Sequence, residues 1–524
     1  MPGKCDVFII LGASGDLSKK KIYPTLWFLY RQKFISPDTK FIGYARSKIT
    51  MDTIRKSTVE NMDIKDDEQE KVEAFFKNNY YLSGKYNKPE GFKALKNLID
   101  EVTGKKNSNR IFYLALPPSV FMQVSTMIRQ ECWPEQKSPL YVDYLNYPDH
   151  LIEKIGWGRI IIEKPFGHDL ASSNELSSHI SNLFYESEIY RIDHYLGKEM
   201  VKNLFVLRFG NILFRSLWDR NHIASVQIIF KENFGVEGRG GYFNDAGIIR
   251  DVIQNHLLQI MSLIAMEKPL TTNADDIRLE KLKALRAVEA LSLENLVVGQ
   301  YIGDPNAENP KHHISYKDDK DVPKDSITPT YACAVLYVNN ERWDGVPFIL
   351  RCGKALNERK AEIRIQFKDV PGDIFCVGQL KRNELVIRVQ PGEAIYIKMM
   401  TKKPGVPNDD GTGDSMTFVN VEETELELTY KERYKTIRVP DAYENLILDV
   451  FNGLQMDFVH VNELKEAWRI VDLALHKLTE NKVKPFEYYS GSRNGPFEAD
   501  ELIKRVGVIY SGTYVYNRTR GQTV

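Results

Sequence analysis

Net charge is the first thing this sequence lacks: 71 Lys and Arg balance 71 Asp and Glu over 524 residues. No global field is available to hold nucleic acid or an anionic membrane, so any basic site has to be local. Cysteine is sparse as well. Cys5, Cys132, Cys333, Cys352 and Cys376 lie far apart without CxxC spacing, which argues against structural zinc and a disulfide framework and fits reduced thiols in a cytoplasmic protein. No metal site is expected. Long apolar runs are also missing, since the best, Leu257 to Met266, has about half the length needed to cross a bilayer. A strand-like run already ends at Leu11, leaving no room for a targeting segment before it. The length calls for two or three domains.

The order of what is present begins with a short apolar run, Asp6 to Leu11, followed at once by Gly12-Ala13-Ser14-Gly15-Asp16-Leu17-Ser18-Lys19 and then a helical pattern carried by Ile22, Leu26, Leu29 and Tyr30. Strand, glycine turn and helix form the arrangement in which backbone N–H groups approach a pyrophosphate. A second strand, Lys40 to Ala45, ends in Arg46-Ser47-Lys48. Arginine at that place suits the 2′-phosphate of NADP, where an acidic residue would suit NAD. Strand-like runs at Arg110 to Leu116 and Arg159 to Ile162, with helical stretches between them, predict a Rossmann-like α/β domain over residues 1–190. Lys164, in Glu163-Lys164-Pro165-Phe166-Gly167, follows such a strand and is a candidate to touch both coenzyme and substrate.

Chemistry concentrates in Arg191-Ile192-Asp193-His194-Tyr195-Leu196-Gly197-Lys198, ahead of a helical run from Glu199 to Phe209. His194, Tyr195 and Lys198 before a helix N-terminus suit a phosphate, which leaves Asp193 for another task. From about residue 191 to 524 the texture is α+β, with β-rich runs between Tyr331 and Tyr430 that predict a mostly antiparallel sheet. Gly247 to Met266 reads as one helix whose apolar stripe contains His256. At 100° per residue Asp251 falls about 140° from His256, so the carboxylate orienting this histidine is expected elsewhere, with Asp193 the unassigned candidate. A histidine held by a carboxylate is a general base near neutral pH.

Gly12-Ala-Ser-Gly-Asp-Leu, Glu163-Lys-Pro-Phe-Gly, the Arg191–Lys198 octet, Gly238-Arg-Gly-Gly-Tyr-Phe, Arg250-Asp-Val-Ile-Gln-Asn-His, Arg342-Trp-Asp-Gly-Val-Pro-Phe and Arg351-Cys-Gly-Lys-Ala-Leu-Asn-Glu-Arg-Lys closely resemble the glucose-6-phosphate dehydrogenase family. The resemblance runs from Cys5 to about Tyr514. It implies oxidation of glucose 6-phosphate at C1 to 6-phosphogluconolactone with hydride transfer to NADP⁺, the first step of the oxidative pentose phosphate pathway. His256 is implied as the base and Asp193 as its orienting carboxylate. His194, Tyr195 and Lys198 correspond to the phosphate clamp, supplemented by Lys354 and Arg359, and Lys164, Glu232, Asp251 and Gln390 to sugar contacts. The family also implies a homodimer or homotetramer and a second, structural NADP, matched here by Arg351, Lys360, Arg364, Arg388, Tyr396, Lys398, Thr429, Arg493 and Tyr510. Lys360 and Arg364, at helical i, i+4 spacing, would repel each other if unpaired and partly buried, by on the order of 4 kcal/mol, a cost that an anion would relieve.

The chain departs from the family in several places. Phe121 replaces a tyrosine near the coenzyme, Glu427 an aspartate, Val515 a lysine and Tyr516 a stacking tryptophan at the structural nucleotide, while 133–151 is an insertion expected at the surface. Two other readings are open. A hexose-6-phosphate dehydrogenase of broader specificity would be expected to carry a signal peptide and a fused lactonase domain, and a non-catalytic NADP-binding paralogue would need a broken base or clamp. Asp193, His194, Lys198 and His256 are intact.

Overall fold

The structure is a computed structural model that describes residues 5–105, 107–134, 156–375, 380–404 and 421–509, with the backbone alone of 516–517 and 522–523. The chain forms two compact units. The first comprises Met1–Lys198 and two later segments, Thr271–Arg278 and Pro440–Lys465. Both segments lie past residue 191, where the sequence analysis placed a domain boundary.

Six parallel strands order the first unit: β1 (Val7–Leu11), β2 (Lys40–Ala45), β3 (Asn79–Ser83), β4 (Arg110–Leu114), β5 (Gly158–Ile162) and β6 (Ile189–Arg191). They lie in the order β3-β2-β1-β4-β5-β6, that of doubly wound dinucleotide folds. Every residue of β1 is buried, which explains its unbroken apolar run: a central parallel strand is covered on both faces. The helix Tyr23–Arg31 packs Tyr23, Leu26, Trp27 and Leu29 onto the sheet.

A helix from far downstream, Ala442–Asn452, completes this core. Its start is set by a reciprocal cap, in which the Tyr443 N–H donates to the Asp441 carboxylate and the Asp441 N–H to Glu444, each at 2.8 Å. Gly453, at φ 76°, ends it. Tyr443, Leu446, Ile447 and Val450 join Phe8, Ile10, Tyr113 and Ile161 in one buried cluster, at about 1.5–3 kcal/mol for each large apolar side chain. The Arg159 guanidinium donates to the carbonyls of Val450 and Phe451 at 2.6 and 3.0 Å, placing a cation at the negative end of the helix dipole.

Trp133, the first residue of the expected surface insertion, is buried, with its ring 5.7 Å from Phe112 and 4.6 Å from Phe184. Residues 135–151 of that segment lie outside the described residues.

The second unit comprises Glu199–Leu270, Leu279–Val439 and Glu466–Val524. Its nine strands are β7 (Ile223–Lys231), β8 (Leu296–Ile302), β9 (Tyr331–Tyr337), β10 (Pro347–Gly353), β11 (Lys360–Phe367), β12 (Glu384–Gln390), β13 (Ala394–Lys402), β14 (Val421–Thr429) and β15 (Phe486–Tyr489). They lie in the order β14-β13-β12-β11-β7-β10-β9-β8-β15. Pairing is antiparallel except between β7 and β10 and between β8 and β15, so the expected sheet is present with two parallel joints.

The helix expected from Gly247 to Met266 is present but not uniform, set off at Gly247 from the turns before it and π-helical in its first half. Gly247 adopts φ 68° and ψ 164° and breaks away from the preceding helix Gly240–Ile248; a π-helical stretch, Ile249–Leu257, follows, and Leu258–Ala265 returns to α. Asp251 and His256 are closer in angle round this stretch than 100° per residue implies, because bonding in a π turn runs from residue i to i+5 and brings residues five apart toward one side.

Candidate active site

The dinucleotide edge follows the carboxyl ends of β1, β2, β4 and β5. Gly12 sits at φ 94°, and a Cβ there would come within 2.1 Å of the Ala115 carbonyl oxygen, so only glycine fits. The Gly12 N–H donates to the Tyr44 carbonyl at 2.8 Å, while its own carbonyl accepts from the Gly15 N–H at 2.9 Å and the Ser18 hydroxyl at 3.0 Å. Those bonds shape a tight turn whose helix begins at Asp16, the cradle that a pyrophosphate requires. Ser14 bonds the Ser47 hydroxyl at 3.2 Å, which ties the turn to the end of β2. Arg46 is exposed there, its guanidinium 5.6 Å from the centre of the Tyr86 ring. Phe121 has no exposed surface, so a ring contact to a coenzyme requires neighbouring side chains to move.

The octet forms a compact turn after β6. Asp193 is 1% exposed and its carboxylate accepts the Tyr195 N–H at 2.9 Å, while the Asp193 and Tyr195 carbonyls accept from Leu196 and Lys198 at 3.0 and 3.2 Å. Gly197 lies against the downstream helix. A Cβ there would approach the Ala442 carbonyl oxygen to 2.4 Å, and the Asn445 amide donates to the Gly197 carbonyl at 3.0 Å. His194 lies edge-on to Tyr195 at 5.1 Å, and the Lys198 ammonium is 5.3 Å from the Tyr195 ring. Tyr195 is buried, whereas His194 and Lys198 are partly exposed.

Within the second unit, Lys354 and Glu232 stand together, with 2.6 Å between ammonium and carboxylate. Phe243 and Phe234 flank the ammonium at 5.0 and 5.6 Å. His256 is buried and Asp251 and Gln390 are half-buried, while Arg359 is exposed. The His256 N–H donates to the Asn255 side chain at 2.7 Å, an i, i−1 bond within the π-helical stretch. Asp193 belongs to the first unit and His256 to the second.

The residues matched to a structural nucleotide separate into groups. Lys360 and Arg364 lie on β11, not on a helix, so i, i+4 spacing puts them about 13 Å apart along the strand, and the repulsion argument does not apply. Instead Lys360 pairs with Glu362 at 3.4 Å and Arg364 at 3.1 Å, Arg364 also meets Glu384, Arg388 reaches Glu362 at 3.9 Å, and the Tyr396 hydroxyl donates to the same carboxylate at 3.3 Å. Sequence reasoning missed Glu362, whose buried carboxylate gathers these groups; its position between two basic residues on one strand was the available signal. Lys398 pairs with Glu423 and Glu425 at 3.1 and 3.2 Å, and Thr429 donates to Glu427 at 2.9 Å. Arg351, buried elsewhere in the unit, bonds Asp500 at 2.9 Å. Arg493 is exposed. Tyr510 and Val515 lie outside the described residues, and of Tyr516 only the backbone is described.

Profiles described as "Glucose-6-phosphate dehydrogenase, NAD binding domain" and "Glucose-6-phosphate dehydrogenase, C-terminal domain" match residues 9–203 and 205–511. The glucose-6-phosphate 1-dehydrogenase of Caenorhabditis elegans is 55% identical over 511 residues, covering 97% of this chain and 92% of that protein. That of Drosophila melanogaster is 54% identical over 516 residues, covering 98% and 92%. A solved glucose-6-phosphate dehydrogenase in complex with its substrate glucose-6-phosphate superposes with a TM-score of 0.87 at 41% identity, over 98% of this chain and 100% of that one. With the strand order and the glycine cradle, these likenesses define an oxidoreductase that uses a nicotinamide dinucleotide. The chain belongs to the glucose-6-phosphate dehydrogenase family.

Proposed function

We propose that this enzyme oxidises glucose 6-phosphate at C1 with NADP⁺ as hydride acceptor, and that His256 is the general base with Asp193 as the carboxylate that orients it. His256 takes the C1-hydroxyl proton of the cyclic sugar, the C1 hydrogen leaves with its electron pair as hydride to the coenzyme, and the C1–O bond becomes the carbonyl of the 1,5-lactone. The bound nicotinamide supplies the hydride acceptor. His194, Tyr195, Lys198, Lys354 and Arg359 hold the phosphate, and Glu232, Asp251, Gln390 and Lys164 the sugar, Lys164 also facing the coenzyme. The observation that carries the reading is the turn in which Asp193 is buried and fixed by a backbone N–H while His194 and Lys198 remain accessible. Fixed polar groups of this kind cost little reorganisation when a substrate arrives. The choice of NADP over NAD rests on Arg46, held over the Tyr86 ring at the end of β2.

The reading extends to a cytoplasmic enzyme, supported by the free, buried thiols of Cys5, Cys132, Cys333 and Cys352, and to a homo-oligomer. Strand β14 is a terminal strand of its sheet and exposes Leu426 and Leu428, an edge of the kind that pairing covers. A second, structural NADP is proposed at the patch around Glu362, supported by Lys360 and Arg388, which keep 23% and 35% of their side chains exposed. Equilibrium binding tests it: two NADP per chain supports the site and one refutes it. For the reaction, the test is absorbance of the reduced coenzyme with glucose 6-phosphate, free glucose and other hexose phosphates, each with NADP and NAD. Preference for glucose 6-phosphate and NADP is expected; equal turnover of free glucose would refute the phosphate clamp.

A further inference from the structure

The chain puts a carboxyl group where packing alone would favour an apolar one. Glu163 directly follows β5 and is 7% exposed. Tyr113, on the neighbouring strand β4, donates its phenolic O–H to this carboxyl at 2.5 Å, and the Tyr443 phenol hydrogen-bonds the same group. Tyr443 sits in the first turn of the downstream helix, and its ring lies parallel to the His194 imidazole, 6.0 Å between centroids at 9°. The helix and the octet are in direct contact through Gly197 and Asn445, so the ring cannot drift from the imidazole without moving that turn.

We propose that Glu163 and Tyr443 are positioning residues for substrate: the buried carboxyl fixes the Tyr443 phenol, and the Tyr443 ring fixes the plane of His194 for the sugar phosphate. This rests on His194 being part of the clamp. An ionised carboxylate accepts from both phenols, whereas a protonated one carries an O–H that needs an acceptor, so one phenol must exchange the role of donor for that of acceptor and reorient its hydroxyl. Burial pushes Glu163 up to about 7, opposed by the phenol bonds and by Lys164 next in the chain. Facing Tyr443 are also Asp441 and Asp193. The state of the pair therefore changes near neutral pH, and with it the grip on the phosphate.

The test is the KM for glucose 6-phosphate between pH 6 and 8 in wild type, Glu163→Gln, Tyr443→Phe and His194→Ala, with folding checked by far-ultraviolet circular dichroism. Glu163→Gln and Tyr443→Phe are each expected to raise KM about three- to tenfold, the worth of one hydrogen bond, with kcat within about twofold, and to flatten the pH dependence of KM. The double variant should be no worse than either single one, because both break one linkage. If Glu163→Gln does not fold, Tyr443→Phe, which removes one oxygen atom, decides alone. Unchanged KM and pH profile, or equal losses in kcat and KM, would overturn the inference. If His194→Ala raises KM while the other two do not, only the positioning role fails; if His194→Ala leaves KM unchanged, the clamp reading falls and this inference with it.

Discussion

The Lys354 ammonium and the Glu232 carboxylate lie 2.6 Å apart, bridging the ends of β10 and β7. The pair places a cation assigned to the phosphate beside an anion assigned to the sugar, so that each holds the other in place before substrate binds. Lys354→Met is expected to raise the KM for glucose 6-phosphate about 10- to 100-fold, as befits a charge-assisted contact of about 1.5–3 kcal/mol. Initial rates measure it; a KM within experimental error of wild type would remove Lys354 from the site.

Arg46 offers a second test. Its guanidinium lies 5.6 Å from the centre of the Tyr86 ring, a contact that limits its freedom before a phosphate arrives. Arg46→Ala should cut the ratio of kcat/KM for NADP over NAD about tenfold or more, a loss of roughly 1.4 kcal/mol or above specific to the 2′-phosphate. The ratio from paired assays is the readout, and no change in it would exclude Arg46.

Glu163 has a consequence for stability that is independent of substrate. Its folded carboxyl titrates near 7 against an unfolded value near 4.5. Below pH 4.5 both states hold the proton and its effect is neutral; between about 4.5 and 7 only the folded state does, so stability falls as pH rises. The lost contribution amounts to about 3 kcal/mol above pH 7. Urea unfolding of wild type and Glu163→Gln at pH 5 and pH 8 reads this directly. The variant should lose less stability than wild type between the two, and parallel behaviour would show that Glu163 does not retain its proton.

Local features were the legible ones. Val7 to Leu11, the Gly12 turn and Arg46 are contiguous in sequence, and a parallel dinucleotide fold follows from them because an apolar strand, a glycine without a Cβ and an arginine each have one structural use there. The Asp193–Lys198 turn was legible for the same reason. Periodicity found the helix after Gly247 but not its π stretch, since an apolar stripe does not record the wider turn, and so it overstated the angle between Asp251 and His256. It also misread Lys360 and Arg364, where spacing alone was weighed without the carboxylates of Glu362 and Glu384 on the same and the adjoining strand. The Glu163–Tyr443 contact joins residues 280 positions apart, and no periodicity spans such a distance.

The most direct test of the account is the turnover of His256→Asn at saturating glucose 6-phosphate and NADP. Loss of a general base should lower kcat by at least ~100-fold with only a modest change in KM. Turnover close to that of wild type would contradict the assignment of His256 as the group that takes the C1-hydroxyl proton.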